Sequence, residues 1–307
     1  MKLDVMKEKF LTGLFALMVV FGSIACSSGD DSPTPVEEDN TPIRIATYNV
    51  RYNSSTDGDN AWIYRRDRVA EIIRIHNFDI FGAQEPYYEQ LSDITRLSPN
   101  YAYVGLSRTG QAESGEFAPI FYHKDRIEIL ESGQFWLTEK DRTQPNTGWD
   151  AAQPRICVWA KVRHKIADKT FYVFNTHFDH IGTQAREESA KLLLELVPEM
   201  AGNLPFFLIG DFNFDQTHGN YSLLKNSTAL SDTYDIAREK INANRGTLNS
   251  FNPNNTSTGR IDHIFVNRKN TPTILKHQII TDSYYDSRTE MQRVASDHFP
   301  VMVDVKF

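Results

Sequence analysis

Cysteine is nearly missing from this chain, with only Cys26 and Cys157 among 307 residues. No intrachain disulfide framework and no thiolate zinc site can be built from one cysteine beyond the amino-terminal region. Cys157 itself lies in the apolar stretch Ile156-Cys157-Val158-Trp159-Ala160 and reads as a small core residue rather than a nucleophile. Positive charge is also short, since 33 Lys and Arg against 40 Asp and Glu leave a net charge of −7. An acidic body has no field to funnel long polyanions. That weighs against a high-affinity, non-specific nucleic-acid binder while leaving room for a nuclease with a local basic patch. There is no internal repeat and no heptad run, so solenoid and coiled-coil architectures drop out. The amino-terminal apolar run, Leu14 to Val20, is too short to span a bilayer as a permanent helix.

What that run does suit is the core of a signal peptide, because Lys2, Lys7 and Lys9 precede it. Ser23-Ile24-Ala25-Cys26 resembles the lipobox of bacterial lipoproteins, with Ser23 where Leu is usual. The resemblance implies cleavage of residues 1–25, a diacylated Cys26 and a membrane tether, which places the protein outside the cytoplasm at the cell envelope, periplasmic or on the surface. Residues 26–42 are Ser, Asp, Pro, Thr, Glu and Asn with almost nothing apolar, and read as a flexible tether. Residues 43–307 then form one folded domain of about 265 residues, because no linker breaks them.

The most informative stretch of that domain is Phe206-Phe207-Leu208-Ile209-Gly210-Asp211-Phe212-Asn213, an apolar strand that runs straight into two polar side chains. Residues two apart share a face, so Asp211 and Asn213 leave the strand end pointing the same way. The pattern recurs. Ile43 to Val50 carries Asn49 at its end, Phe78 to Gln84 delivers Glu85, and Phe171 to Thr176 delivers Asn175 and His177. Ser296-Asp297-His298 opens the last apolar run. Trp62 to His76 and Thr183 to Met200 read as amphipathic helices, the first with Val69, Ile72, Ile73 and Ile75 inward and Arg65, Arg66 and Arg68 on its polar side. Phe117 to His123 and Ile127 to Leu137 read as a hairpin turned at Lys124-Asp125, and residues 216–259 as mostly polar loop. Strands alternating with helices, together with the hairpins, argue an α/β (α+β) fold with mixed rather than purely parallel sheets.

Six motifs in order carry a strong resemblance to the endonuclease/exonuclease/phosphatase superfamily, the fold of deoxyribonuclease I. They are Thr47-Tyr48-Asn49-Val50-Arg51, Gln84-Glu85, Asn175-Thr176-His177, Gly210-Asp211-Phe212-Asn213, Arg260-Ile261-Asp262-His263-Ile264-Phe265 and Ser296-Asp297-His298-Phe299-Pro300-Val301. The resemblance implies a four-layered sandwich, two mixed sheets face to face with helices outside, making residues 43–307 a phosphoesterase domain that uses Mg²⁺ or Mn²⁺. Asn49, Glu85 and Asp297 would be the metal residues, Glu85 and Asp297 as hard carboxylates and Asn49 completing or supporting their shell. Asp211 and Asn213 would orient the attacking water or hold a second metal, and Asp262 would fix the tautomer of His298. Either Asp211 or His298 could take the water's proton. By the deoxyribonuclease I spacing Glu116 would orient His177, which would bind or protonate the phosphoryl group. Gly148 to Arg155 resembles a motif of secreted bacterial members, so that Arg155 would clamp a substrate phosphate and Trp149 stack on a base, sugar or lipid headgroup; the plainer alternative is a salt bridge and a Trp packed on the sheet. Asn175 joins these as a substrate-binding residue.

The substrate expected is a phosphate mono- or diester: a phosphorylated small molecule, a phospholipid headgroup or nucleic acid. An extracellular nuclease, a non-catalytic tethered binding protein and a glycosidase are the competing classes. Nothing in the sequence calls for an obligate protein partner. His263 reads as structural or substrate-adjacent, and His76, His123, His164, His180, His218 and His277 as surface or packing residues.

Overall fold

The computed structural model describes residues 41–307. The leader expected over 1–25 and all but the last two residues of the tether expected over 26–42 lie outside them. The chain runs β1 (Ile43–Asn49), α1 (Trp62–His76), β2 (Ile80–Gln84), α2 (Tyr88–Leu97), β3 (Tyr101–Val104) and β4 (Ile120–His123). Next come β5 (Ile127–Trp136), β6 (Ile156–His164), β7 (Lys169–His177), α3 (Thr183–Ala201) and β8 (Phe206–Asp211). It continues through α4 (Gly219–Lys225), β9 (Leu230–Asp232), α5 (Thr233–Ile236), β10 (Glu239–Ile241), β11 (Asp262–Asn267) and β12 (Thr273–Ile279). β13 (Tyr284–Asp286), β14 (Met291–Arg293) and β15 (Val301–Lys306) close it.

Two mixed sheets result, one of order β10-β12-β15-β1-β2-β4-β3 and one of order β5-β6-β7-β8-β11-β9, with β13 and β14 as a separate hairpin. Their central strands are apolar at nearly every position because both faces are covered. Ile45, Ile120, Val158, Val173, Ile209, Ile264 and Val303 fill the space between the sheets. Outside the first sheet, Tyr48 and Phe81 pack on Val69, Ile73, Leu91 and Ile94 of α1 and α2. Outside the second, Phe174, Leu208 and Phe265 pack on Leu193, Val197, Tyr221 and Leu224 of α3 and α4. This is the four-layered α/β sandwich, held by one apolar layer at each of its three interfaces.

Topology then decides where the polar ends go. β1 and β2 are parallel to each other, as are β7 and β8, so Asn49, Gln84, His177 and Asp211 all emerge at one edge. β15 is antiparallel to β1 and β11 to β8, so their starts lie at that same edge. Register sharpens this, with His177 opposite Asp211 and Asp211 opposite Asp262. Gly210 is required at the junction: its φ is +151° and a Cβ there would collide with the Thr176 carbonyl oxygen.

Three expectations need correction. β4 pairs with β2 and β3 while β5 pairs with β6, so Lys124-Asp125 carries the chain from one sheet to the other instead of closing a hairpin. Residues 216–259 are no plain loop, since they hold α4, β9, α5 and β10. On α1 the roles of two residues are exchanged: Ile75 is 65% exposed and Arg65 is 1% exposed.

Candidate active site

Asn49 sits at the end of β1 with no exposure, and its amide nitrogen donates to Glu85 Oε1 and Asp211 Oδ2, both at 3.0 Å. Its Oδ1 accepts the Arg51 N–H at 3.0 Å. A backbone amide can only donate, so the orientation of the Asn49 side chain is fixed. What faces the carboxylates is the NH₂ group, which carries no lone pair for a cation. Asn49, expected to complete or support the metal shell, braces two carboxylates as it is placed. Glu85 follows β2 at φ +72° and takes the Tyr52 N–H on its other oxygen at 3.1 Å. Burial alone would raise its pKa, but His177 and the Asn49 amide outweigh that and hold the carboxyl below its ordinary value.

Asp211 is buried, with Oδ1 accepting from the Asn213 N–H at 2.9 Å. Its desolvation and the nearby Asp262 push its pKa up. His298 lies on the other side: Nδ1 meets Asp262 Oδ2 at 2.8 Å and Nε2 stands 3.9 Å from Asp211 Oδ2. Burial opposes its charge, yet Asp262 raises its pKa well above that of a free histidine. His177 Nε2 approaches Asp211 Oδ2 at 3.7 Å and its Nδ1 lies 3.4 Å from Glu116 Oε1. Glu116 also accepts from Arg108 Nη1 at 3.1 Å, and the contact with His177 Nδ1 is a close ion-pair approach and not a formed hydrogen bond. Glu116 thus stands between His177 and Arg108.

These groups line one cavity of about 500 Å³. Around it the carboxylates Glu85, Asp211 and Asp297 with His177 and His298 occupy one part, and Arg108, Arg155, Gln153 and His180 another. Ligand atoms of Glu85, His177 and Asp211 lie within 4.8 Å of one another, as do those of Asp211, Asp262 and His298. Asp297 is outside both groups and leans towards Arg51, whose Nη1 is 3.8 Å from Oδ2. Burial raises the Asp297 pKa and the neighbouring Glu85 adds to that. Like-charged oxygens gathered at a shielded site are offset best by a dication, and these oxygens are the hard donors that Mg²⁺-type ions take.

The endonuclease/exonuclease/phosphatase family model matches residues 46–298. The chain belongs to that family. Its members commonly use divalent metals, which suits the donor set above. Among solved structures, the mannosyl-6-phosphatase of Bacteroides thetaiotaomicron is 39% identical with a TM-score of 0.82, over 86% of this chain and 100% of that one. A second family protein from the same organism is 40% identical with a TM-score of 0.82, over 87% and 98%. An uncharacterised protein of Acanthamoeba polyphaga mimivirus is 28% identical over 258 residues, 79% of this chain and 91% of that protein.

Within this family site, two residues expected to bind substrate are placed elsewhere. Asn175 has no exposure and donates through Nδ2 to the carbonyls of Ala83, Ala118 and Pro119 at 2.9 to 3.0 Å, while its Oδ1 takes Gln84 Nε2 at 2.7 Å. It is a polar strut between the sheets, and Gly82 leaves the room it occupies. Trp149, at φ +48°, packs against the core under α3, and its backbone N–H donates to Glu139 Oε2 at 2.8 Å. Arg155 does line the cavity, but its Nε is spent on Asp179 Oδ2 at 3.2 Å and Nη2 meets His180 Nδ1 at 3.0 Å. His263 is buried against Phe212, Tyr221 and Phe265, and is structural.

Several lining residues were not read from the sequence at all. Arg51 lies over the Tyr52 ring at 4.2 Å and is bound to Asp57 through two nitrogens. Arg108 and His180 come from stretches read as loop and packing, although Asp179-His180 directly follows a polar strand end and could have been found by that signal. Leu248 bridges to His298, and Thr247 Oγ1 accepts the N–H groups of Ile261 and Asp262 at 2.9 and 3.1 Å. Leu248, from a stretch read only as mostly polar, thus lines one wall of the site.

Proposed function

We propose that this protein is a metal-dependent hydrolase of phosphate esters acting on a small polar phosphomonoester, of which a phosphorylated sugar is the leading example. The observation that carries the reading is a concave cavity lined by four carboxylates, three histidines and three arginines. A bowl of about 500 Å³ encloses a small ester far better than it accommodates a duplex. The acidic charge of the chain and its likeness to a mannosyl-6-phosphatase support the same choice.

Glu85 and Asp297 would hold Mg²⁺ or Mn²⁺, with His177 and Asp211 beside them. When bound, the ion supplies charge neutralisation at the phosphoryl oxygens, without which water cannot approach an anion. The chain's own residues do the rest. Asp262 holds Nδ1 of His298, which turns Nε2 towards Asp211 Oδ2. With His298 held in its charged form by Asp262, Asp211 Oδ2 would take the proton of the attacking water while the facing imidazolium steadies it. Asn213, fixed by its bond to the Phe178 carbonyl, and His177 contact the phosphoryl group. An address outside the cytoplasm, tethered through a diacylated Cys26, belongs to the same proposal; membrane partitioning that is lost in Cys26→Ala would support it, and partitioning that is retained would remove it.

The test is hydrolysis of p-nitrophenyl phosphate and bis-(p-nitrophenyl) phosphate by the protein with Mg²⁺ or Mn²⁺ and with chelator. Metal-dependent turnover favouring the monoester is expected, with Glu85→Ala, Asp211→Ala and His298→Ala each at least about a hundredfold slower while still folded. Chelator-insensitive turnover refutes the metal, and preference for the diester turns the reading towards a nuclease.

A further inference from the structure

Opposite the carboxylates, two loops meet around one buried anion. Asp179, 1% exposed, accepts the N–H groups of Ala152, Ile181 and Gly182 and the Nε of Arg155, at 2.7 to 3.2 Å. Burial opposes its charge, but those three amides and Arg155 hold the carboxyl well below the usual range. A second acid ties the same loop to the start of α3: Asp150 accepts from Gln184 and Ala185 at 3.2 and 2.6 Å. Out of this knot three side chains reach the cavity wall, Gln153, Arg155 and His180.

Their donors are set by chemistry. Arg155 can only donate, so the atom of His180 that meets it, Nδ1, carries the lone pair. The His180 proton is therefore on Nε2. Arg155 commits Nε to Asp179 and Nη2 to His180, and its Nη1 lies 3.9 Å from Glu116, outside hydrogen-bond distance. Gln153 has no hydrogen-bond partner among the described residues. This wall therefore offers an imidazole N–H and a guanidinium N–H on braced side chains, beside a complete amide whose donors and acceptor are free. Trp149, half-buried against the core, is not on this wall, and the aromatic rings that do line the cavity, Tyr52 and Tyr87, lie next to Glu85.

We propose that Gln153, Arg155 and His180 form the subsite for the leaving group, and that the group they fit is a polyhydroxylated ring. Vicinal hydroxyls both donate and accept, which matches an amide beside two N–H donors. A wall of such polar groups favours a leaving group that carries hydroxyls over one that lacks them, because only the first gains hydrogen bonds there. This inference rests on the phosphomonoesterase reading, and the experiment separates the two.

Wild type, Gln153→Ala and His180→Ala are compared on mannose 6-phosphate, glucose 6-phosphate and p-nitrophenyl phosphate, with the ratio of hexose-phosphate to p-nitrophenyl phosphate kcat/KM as the readout. Each lost hydrogen bond should lower that ratio about tenfold. Thermal midpoints confirm that the exposed positions leave folding intact. An unchanged ratio in both variants overturns the subsite, as does a wild type that hydrolyses p-nitrophenyl phosphate but neither hexose phosphate. A wild type that hydrolyses none of the three, with or without metal, overturns the phosphatase reading and the subsite with it.

Discussion

The two sides of the cavity are held by opposite charges. On the side of β1 and β15 the anchor is a buried cation: Arg65 of α1 donates to the carbonyls of Val50, Arg51, Tyr52, Asn60 and Ala295, reaching two loops far apart in sequence. On the opposite side the anchor is the buried anion Asp179, which gathers three amides and an arginine. A planar fork with five donors suits loops that present carbonyls, and a carboxylate with two oxygens suits loops that present N–H groups. The difference lies in what each anchor is attached to. Arg65 projects from a helix and braces Arg51, itself at φ +57°, and the approach to Asp297, so the carboxylate side is referred to a rigid element. Asp179 belongs to the loop that leads into α3 and ties it to a second loop, which Asp150 fastens to the first turn of that helix. One side hangs on the body of a helix, the other on a helix's first turn.

Breaking the cation should have the larger effect. Arg65→Met removes five hydrogen bonds from buried carbonyls and should cost about 4 kcal/mol in urea unfolding. A loss below about 1 kcal/mol would mean that water replaces the guanidinium and that α1 is not the reference for these loops. Asp179→Asn keeps the shape and removes the charge, and one of its atoms becomes a donor facing donors. About 2 kcal/mol should go. Arg65→Met should also slow turnover of every ester alike, whereas Asp179→Asn should change the ranking of esters; identical kinetic profiles would erase the distinction between the two sides.

Acid sharpens the comparison, because neither anchor titrates between pH 7 and 5. Among the groups that set a pH dependence there are His263 and His277, whose pKa values burial lowers to about 4, so that they stay neutral in the fold. An unfolded histidine titrates near 6.5, so as pH falls the unfolded chain binds protons first and stability drops. Each histidine should remove about 2 kcal/mol between pH 7 and 5. His277→Gln should fall by about 2 kcal/mol less than the wild type between pH 7 and 5, and an equal fall in the two proteins would show that this ring is not buried neutral.

Legibility in the sequence divides along similar lines. The edge where the chemistry gathers was readable, because each central strand is an apolar run ending in a polar residue and parallel runs share an end. Asp262 and His298 were readable as a pair through the family motifs. The partners of strands were not: β4 and β5 are adjacent in sequence, and no local pattern says that they join different sheets. Nor was Arg65, since a charged residue at a helical spacing reads as solvated, and only the distant carbonyls of Val50 and Ala295 make its burial favourable. Asn175 carries the same ambiguity in reverse, a motif residue whose amide is consumed by three carbonyls of the facing sheet. His180 was passed over because its role depends on Arg155, 25 residues away.

The smallest effect tests whether Arg65 acts alone. Ser296, 1% exposed, donates to the Asn49 carbonyl at 2.7 Å and so links the same two loops by a single bond. Ser296→Ala should cost about 1 kcal/mol, the worth of one neutral hydrogen bond. It should leave the pH dependence unchanged, because the residue does not titrate. If the loss instead approaches that of Arg65→Met, the loops are joined by one cooperative network in which no member can be removed cheaply, and the arginine is only its most visible part. If the two losses add in the double variant, the fan of five bonds is the anchor and the serine merely a latch on a structure already held.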